Sequence, residues 1–239
     1  MVTDPPAPHN SEEDPVLFTP RSARGGTRDG AGAPHEGLRL ALLGDSLAYG
    51  SGAAGPEDAL GPRLAAALTD AGYDVDLSVL AVPGAVSRDL AAQVRRAAPL
   101  DLDLAVVVVG ANDLARLVPP AQAAAALASA LHGLRTAGAD VVVVPTPDMS
   151  TVPWVPPALR PLVQAASTTL QREQAAVARA NGAMVAAVSD AVTAAFGTDP
   201  ALFSADRFHP SSAGYAHIAQ ALVPYVVAAA HARRDGAAA

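Results

Sequence analysis

Two short stretches of the 239-residue chain hold the residues best suited to acyl chemistry. Gly44-Asp45-Ser46-Leu47 follows the apolar run from Leu40 to Leu43. That pattern reads as a buried strand delivering a serine to the rim of a sheet, where open α/β folds collect their catalytic groups. A serine hydroxyl is a weak nucleophile at neutral pH unless a base takes its proton and a third group orients that base. Asp206-Arg207-Phe208-His209-Pro210 offers both partners. A spacing of three lets one tight turn bring the Asp206 carboxylate to one ring nitrogen of His209 and leave the other for Ser46. Pro210 also favours extended or turn backbone at His209. The other histidines are less apt: His9 and His35 fall in the N-terminal segment, and His132, His217 and His231 fall on expected helices. No H-E-x-x-H or Cys/His cluster is present, so no metal or organic cofactor is expected. The lack of cysteine excludes disulfides and a thiolate nucleophile.

Three further stretches are placed to serve Ser46. Leu80-Ala81-Val82-Pro83-Gly84 ends an apolar run in a glycine, which lets backbone approach a ligand and offer it an N–H. Gly110-Ala111-Asn112-Asp113 ends another run in a polar turn, and the Asn112 amide can donate to a developing oxyanion. Asp45, next to the serine, is expected to face the substrate. The long, proline-rich segment Thr146–Pro157 holds the sole tryptophan, Trp154. It can either line an acyl pocket or pin the loop to the core.

The elements that must carry these residues follow from periodicity. Strands are expected at 38–43, 75–82, 104–109, 140–144 and 184–188, and helices at about 57–71, 86–97, 119–137, 160–181 and 211–231. The tetravaline runs 106–109 and 141–144 are continuously β-branched, as strands covered on both faces are. Strand and helix alternate, which predicts an α/β fold in three layers, with a central parallel sheet of about five strands between two helical layers. Pro56, Ser87, Gly138 and either Ser211 or Ser212 mark helix ends.

Composition bounds the rest. Residues 1–37 are rich in proline, glycine and mixed charge and are expected to form a disordered leader; 38–231 form one domain, and 232–239 a flexible tail. The leader has neither a secretory nor a transit pattern, so a cytoplasmic location is expected. Although 51% of residues are hydrophobic, no uninterrupted apolar run reaches about 18 residues, so no membrane span is expected. Net charge is −7 and all 16 basic residues are scattered arginines, which argues against nucleic acid. Gly50-Ser51-Gly52-Ala53-Ala54-Gly55 satisfies G-x-G-x-x-G, but it starts six residues beyond the end of the strand, where a dinucleotide fingerprint would begin at once. A nucleotide-binding Rossmann-like protein is therefore the lower-ranked alternative. A catalytically silent module that only holds an acylated ligand is another.

Taken together, Gly44-Asp45-Ser46-Leu47, Gly84, Gly110-x-Asn112-Asp113 and Asp206-x-x-His209 resemble, in order and rough spacing, the four blocks of the SGNH, or GDSL-type, hydrolase family. The resemblance covers about 38–231. It implies a flavodoxin-like fold, with Ser46 as nucleophile, His209 as base and Asp206 as its orienter. It also implies an oxyanion hole from the Ser46 N–H, the Gly84 N–H and the Asn112 side chain. Many relatives carry an asparagine shortly before the glycine of the second block, where this chain has 78–83. The implied reaction is hydrolysis of short-chain acyl or acetyl esters of small molecules through an acyl-enzyme. Deacetylation or thioester hydrolysis by the same residues is the alternative.

Overall fold

The computed structural model describes residues 37–237; the expected leader, except Gly37, lies outside the described residues. Five strands form one parallel sheet: β1 Leu38–Gly44, β2 Val75–Val79, β3 Leu104–Val108, β4 Asp140–Val144 and β5 Met184–Val185. Their order is β2-β1-β3-β4-β5, the flavodoxin-like arrangement. Leu42 pairs with Val79 on one side and Val106 on the other, and Val106 with Val142. The helices are α1 Ser46–Tyr49, α2 Leu60–Asp70, α3 Leu90–Ala97, α4 Ala111–Ala115, α5 Pro120–Thr136, α6 Arg160–Ala180, α7 Ser189–Thr198 and α8 Ser212–Ala237.

Side-chain alternation divides the core into two. Leu40, Leu42, Val106 and Val142 face Leu60, Leu64 and Leu68 of α2 and the Tyr215, Ile218, Leu222 and Val226 stripe of α8. Ala41, Leu43, Val107 and Val143 face Leu90 of α3, Leu127, Leu131 and Leu134 of α5, and Ala178 of α6. Each fully buried leucine contributes about 1.5–3 kcal/mol of transfer free energy, so the spacing of four along α2 fixes which of its faces turns inward.

Several elements differ from the sequence expectation. β2 ends at Val79 because Leu80 and Ala81 both donate to Leu42 O and Val82 to Gly44 O, which breaks the ladder. β5 pairs over only two residues before Ala186 donates to Val143 O and a tight turn follows. The short α1 and α4 and the ten-residue α7 had no expected counterpart. Elements of four or five residues show no readable period, whereas α7 is held by Val192 and Phe196 in the core. α8 continues to Ala237, which makes most of the expected 232–239 tail helical. Arg233 anchors that end, meeting Asp103 at 2.8 Å, Asp140 at 3.3 Å and the Gly138 carbonyl at 2.9 Å. By length and composition α8 is apolar enough to cross a membrane; here its apolar stripe is buried against the sheet.

Candidate active site

β1 and β3 are adjacent although β2 separates them in sequence, and the crevice beyond their carboxyl ends is where such sheets bind ligands. Ser46 emerges there as the first residue of α1. Its turn depends on Gly44: at φ +134°, a Cβ would stand 1.7 Å from Val108 O, so only glycine lets the chain bend this close to β3. Asp45 caps α1 by accepting the Leu47 N–H at 3.0 Å. This aspartate is 2% exposed. Burial pushes its pKa up to about 6, against the lowering effect of the Leu47 and Gly110 N–H groups; Asp113 adds to the rise and His209 opposes it.

The histidine turn is closed on itself. Ser204 N donates to His209 O at 2.8 Å, Phe203 and Pro210 form an antiparallel bridge, and Arg207 takes the left-handed conformation at φ 58°. His209 Nδ1 lies 2.6 Å from Asp206 Oδ2. Asp206 Oδ1 accepts the Ser204 hydroxyl and the Phe208 and His209 N–H groups at 2.8 to 2.9 Å. Desolvation works to raise the Asp206 pKa, but the His209 contact and these three donors outweigh it and hold the carboxyl well below the usual range. With Nδ1 engaged, Nε2 is the nitrogen left for the cavity, whose wall includes both Ser46 and His209. Among the described residues no hydrogen bond joins Ser46 Oγ to the ring; such contacts often close only once substrate is bound.

The 50–55 loop serves this turn. Gly50 ends α1 instead of turning off a strand, and its N–H and that of Ser51 both return to Ser46 O. Ala53 N donates to Gly50 O and Ala54 N to Ser212 Oγ. These donors are spent within the protein, and the glycine run follows a short helix and not a strand end, which argues against the dinucleotide reading. A Cβ on Gly52 would lie 2.5 Å from Pro210 O and 2.8 Å from His209 Cβ, so its lack of a side chain is what seats the serine loop against the histidine turn. Tyr215, fully buried on α8, donates to Ser51 O at 2.8 Å from below.

Gly84 adopts φ +79°, with its carbonyl accepting from Arg116 at 2.8 Å. Asn112 lies on α4, and one of its amide hydrogens goes to Ala85 O at 3.1 Å, which ties it to the Gly84 turn and leaves the second. Asp113, completely buried, accepts the Ser87 N–H and hydroxyl at 3.0 to 3.1 Å. Burial raises its pKa against those donors, and it acts as a brace between α4 and the turn at 87–89. Gly84 and Asn112 approach each other through Ala85, but neither lines the cavity shared by Ser46 and His209.

That cavity, of about 80 Å³, is apolar. The loop after β4 supplies Thr146, Pro147, Met149 and Val152 to its wall, as expected of that segment. Trp154 takes neither of its expected roles. It is 70% exposed and does not line the cavity; its indole N–H donates to Asp206 O at 2.8 Å. Phe196, Phe203 and Phe208 complete the wall instead, the first two in edge-to-face contact with centroids 5.0 Å apart. Phe208, inside Asp206-x-x-His209, and Phe203, just before it, were readable beside the motif; Phe196 on α7 was not.

Two buried glutamines also escaped the sequence reading. Gln174 of α6 accepts the Thr146 N–H and donates to Val109 O, both at 2.8 Å, so it joins the ends of β3 and β4. Gly110 must pass beneath it: a Cβ there would meet Thr146 Oγ1 at 1.8 Å and Gln174 Nε2 at 2.8 Å. Gln93 of α3 clasps Gly44 in the same way. Among the described residues no group of three or more His, Asp or Glu side chains is arranged to hold a metal ion.

Residues 42–217 match the model of the GDSL-like lipase/acylhydrolase family. The GDSL-like esterase Rv1075c of Mycobacterium tuberculosis (strain ATCC 25618 / H37Rv) is 35% identical over 189 residues, which cover 77% of this chain and 60% of that protein's length. The crystal structure of TesA superposes with a TM-score of 0.65 at 24% identity, over 80% of this chain and 99% of TesA. Axe2, an acetylxylan esterase from Geobacillus stearothermophilus, gives 0.64 at 20% identity over 80% and 95% of the two chains. A lipase/acylhydrolase from Enterococcus faecalis gives 0.63 at 23% identity over 80% and 96%.

Proposed function

Because this chain belongs to the GDSL-like lipase/acylhydrolase family, we propose that it hydrolyses carboxylic esters through an acyl-enzyme on Ser46. The observation that carries the reading is the Asp206–His209 pair at 2.6 Å, with its ring on the same cavity wall as Ser46. His209 Nε2 takes the Ser46 proton as Oγ attacks the carbonyl carbon. The charge that develops on the carbonyl oxygen is met by the Ser46 and Gly84 N–H groups and the second amide hydrogen of Asn112. Collapse expels the alcohol, which receives the proton from His209. Water, deprotonated by the same nitrogen, then cleaves the acyl-serine bond and restores the hydroxyl.

The apolar cavity is the acyl site in this reading. Its volume, about 80 Å³, is far below the roughly 300–1,000 Å³ of pockets that enclose drug-sized ligands, which favours acetyl and other short acyl groups over long chains. Release of an acetyl group from an O-acetylated alcohol or a thiol would use the same parts, and relative kcat/KM on matched esters and thioesters distinguishes them. A fluorophosphonate probe should label Ser46, and Ser46→Ala should lower p-nitrophenyl acetate turnover by roughly 10⁴-fold or more without loss of fold. An adduct on any other residue, or an active Ser46→Ala protein, would remove Ser46 from the mechanism.

A further inference from the structure

The ladder between β1 and β2 stops at Leu42 and Val79, yet the backbone of Gly44 is fully paired on that side. Beside the Val82 N–H on Gly44 O, a side chain supplies the pairing. Gln93, 1% exposed on α3, accepts the Gly44 N–H at 2.7 Å and donates to Gly44 O at 2.8 Å. Its amide takes the place that the next residues of a neighbouring strand would fill. Gly44 is also where β1 must turn into α1, and without a Cβ nothing steric limits its rotation. The plane of the peptide leading to Asp45 is set by hydrogen bonds alone: Gln93 Nε2 and Val82 N on its oxygen, and Val108 O on its nitrogen at 3.0 Å. Ser46 is the next residue but one.

We propose that Gln93 is a positioning residue for ester hydrolysis, acting through Gly44 to hold the Ser46 hydroxyl and the Ser46 N–H in attacking and oxyanion-stabilising geometry. The inference rests on Ser46 being the nucleophile. Gln93 is not needed to fill space, since methionine has the same length; what it supplies is a donor and an acceptor from one rigid amide. Glutamate can accept the Gly44 N–H but opposes Gly44 O until its carboxyl is protonated and can donate. Burial raises the pKa of such a carboxyl, so a Gln93→Glu protein carries its own titratable reporter of the lost bond.

The test measures kcat and KM on p-nitrophenyl acetate, the rate of fluorophosphonate labelling and the site of the adduct, at a temperature where circular dichroism shows each variant folded. Gln93→Met should lower kcat and the labelling rate by about 10- to 100-fold with KM changed less than about twofold, the pattern of misplaced reacting groups. For Gln93→Glu, the ratio of its kcat to that of the wild type should rise by about fivefold or more between about pH 8 and about pH 5.5, as protonation restores the donor. A purely structural role would lower the melting temperature and leave both readouts flat. Wild-type kcat in folded Gln93→Met, or a pH-independent ratio for Gln93→Glu, overturns the proposal. If Gln93→Met does not fold, the Gln93→Glu ratio alone decides. An adduct at Ser46 formed at the wild-type rate in the variants removes only Gln93, whereas an adduct elsewhere in the wild type removes the nucleophile assignment.

Discussion

At the scale of the residue, Asn112 and Asp45 make separable predictions. Asn112 spends one amide hydrogen on Ala85 O, and in the proposed mechanism its second meets the oxyanion. Asn112→Ala should therefore lower kcat by about 10²- to 10³-fold with KM nearly unchanged; a rise in KM alone would make it a ground-state contact. Asp45 binds a proton more tightly in the folded protein than in the unfolded chain, its pKa rising from the ordinary 3.8 to about 6. Its contribution to stability is thus complete below about pH 4 and lost as pH rises through about 6. The loss is about 3 kcal/mol from the linkage relation. Asp206, whose pKa is lowered, acts with the opposite sign and at more acid pH. Urea unfolding of the wild type and Asp45→Asn at pH 4 and pH 7 should show the variant's relative stability growing by about that amount; no change with pH would mean that Asp45 is ionised at little cost.

At the scale of the element, the site is an agreement among loops. α1, the Gly84 turn and α4 leave the ends of β1, β2 and β3, while the histidine turn joins α7 to α8. Gly52 is where the serine loop meets it. Gly52→Ala would place a methyl within 2.8 Å of His209 Cβ and strain a backbone at φ +92°. We expect kcat to fall at least about tenfold, because the serine loop and the histidine turn must separate to admit the methyl. Unchanged kcat would show that the two loops tolerate separation. This contact also shows where sequence reading stops. Gly44-Asp45-Ser46 and Asp206-x-x-His209 were legible because each does its work within four consecutive residues. Gly52 fitted a phosphate-binding pattern, and only the approach of a turn more than 150 positions later shows what its missing side chain is for.

At the scale of the whole molecule, the sheet and its helices followed from apolar periodicity, since a strand buried on both faces admits little except β-branched and aliphatic residues. Gln93, Gln174 and Tyr215 did not, because a polar residue on a helix shows no sign in sequence of which distant carbonyl it will meet. The loop after β4 was expected to wall a pocket and supplies part of the cavity, but the aromatic lining comes from α7 and the histidine turn. Trp154 is exposed, with its indole hydrogen donated to Asp206 O.

That single bond has a consequence for how the protein fails. Ser46 is rooted in the central strand pair, whereas His209 rides on an outlying turn held by the Trp154 indole, the Gly52 contact and one β-bridge. Peripheral segments of this kind open at lower free energy than the core. Warming should therefore silence the enzyme before it melts, with half-inactivation several degrees below the calorimetric midpoint and full recovery on cooling from that interval. Trp154→Phe, which keeps a ring and removes the N–H, should widen the gap by lowering the inactivation temperature while the melting temperature stays within about a degree; coincident shifts would mean that the turn and the core let go together. On the proposed mechanism the base would then act as a thermal fuse, one that resets.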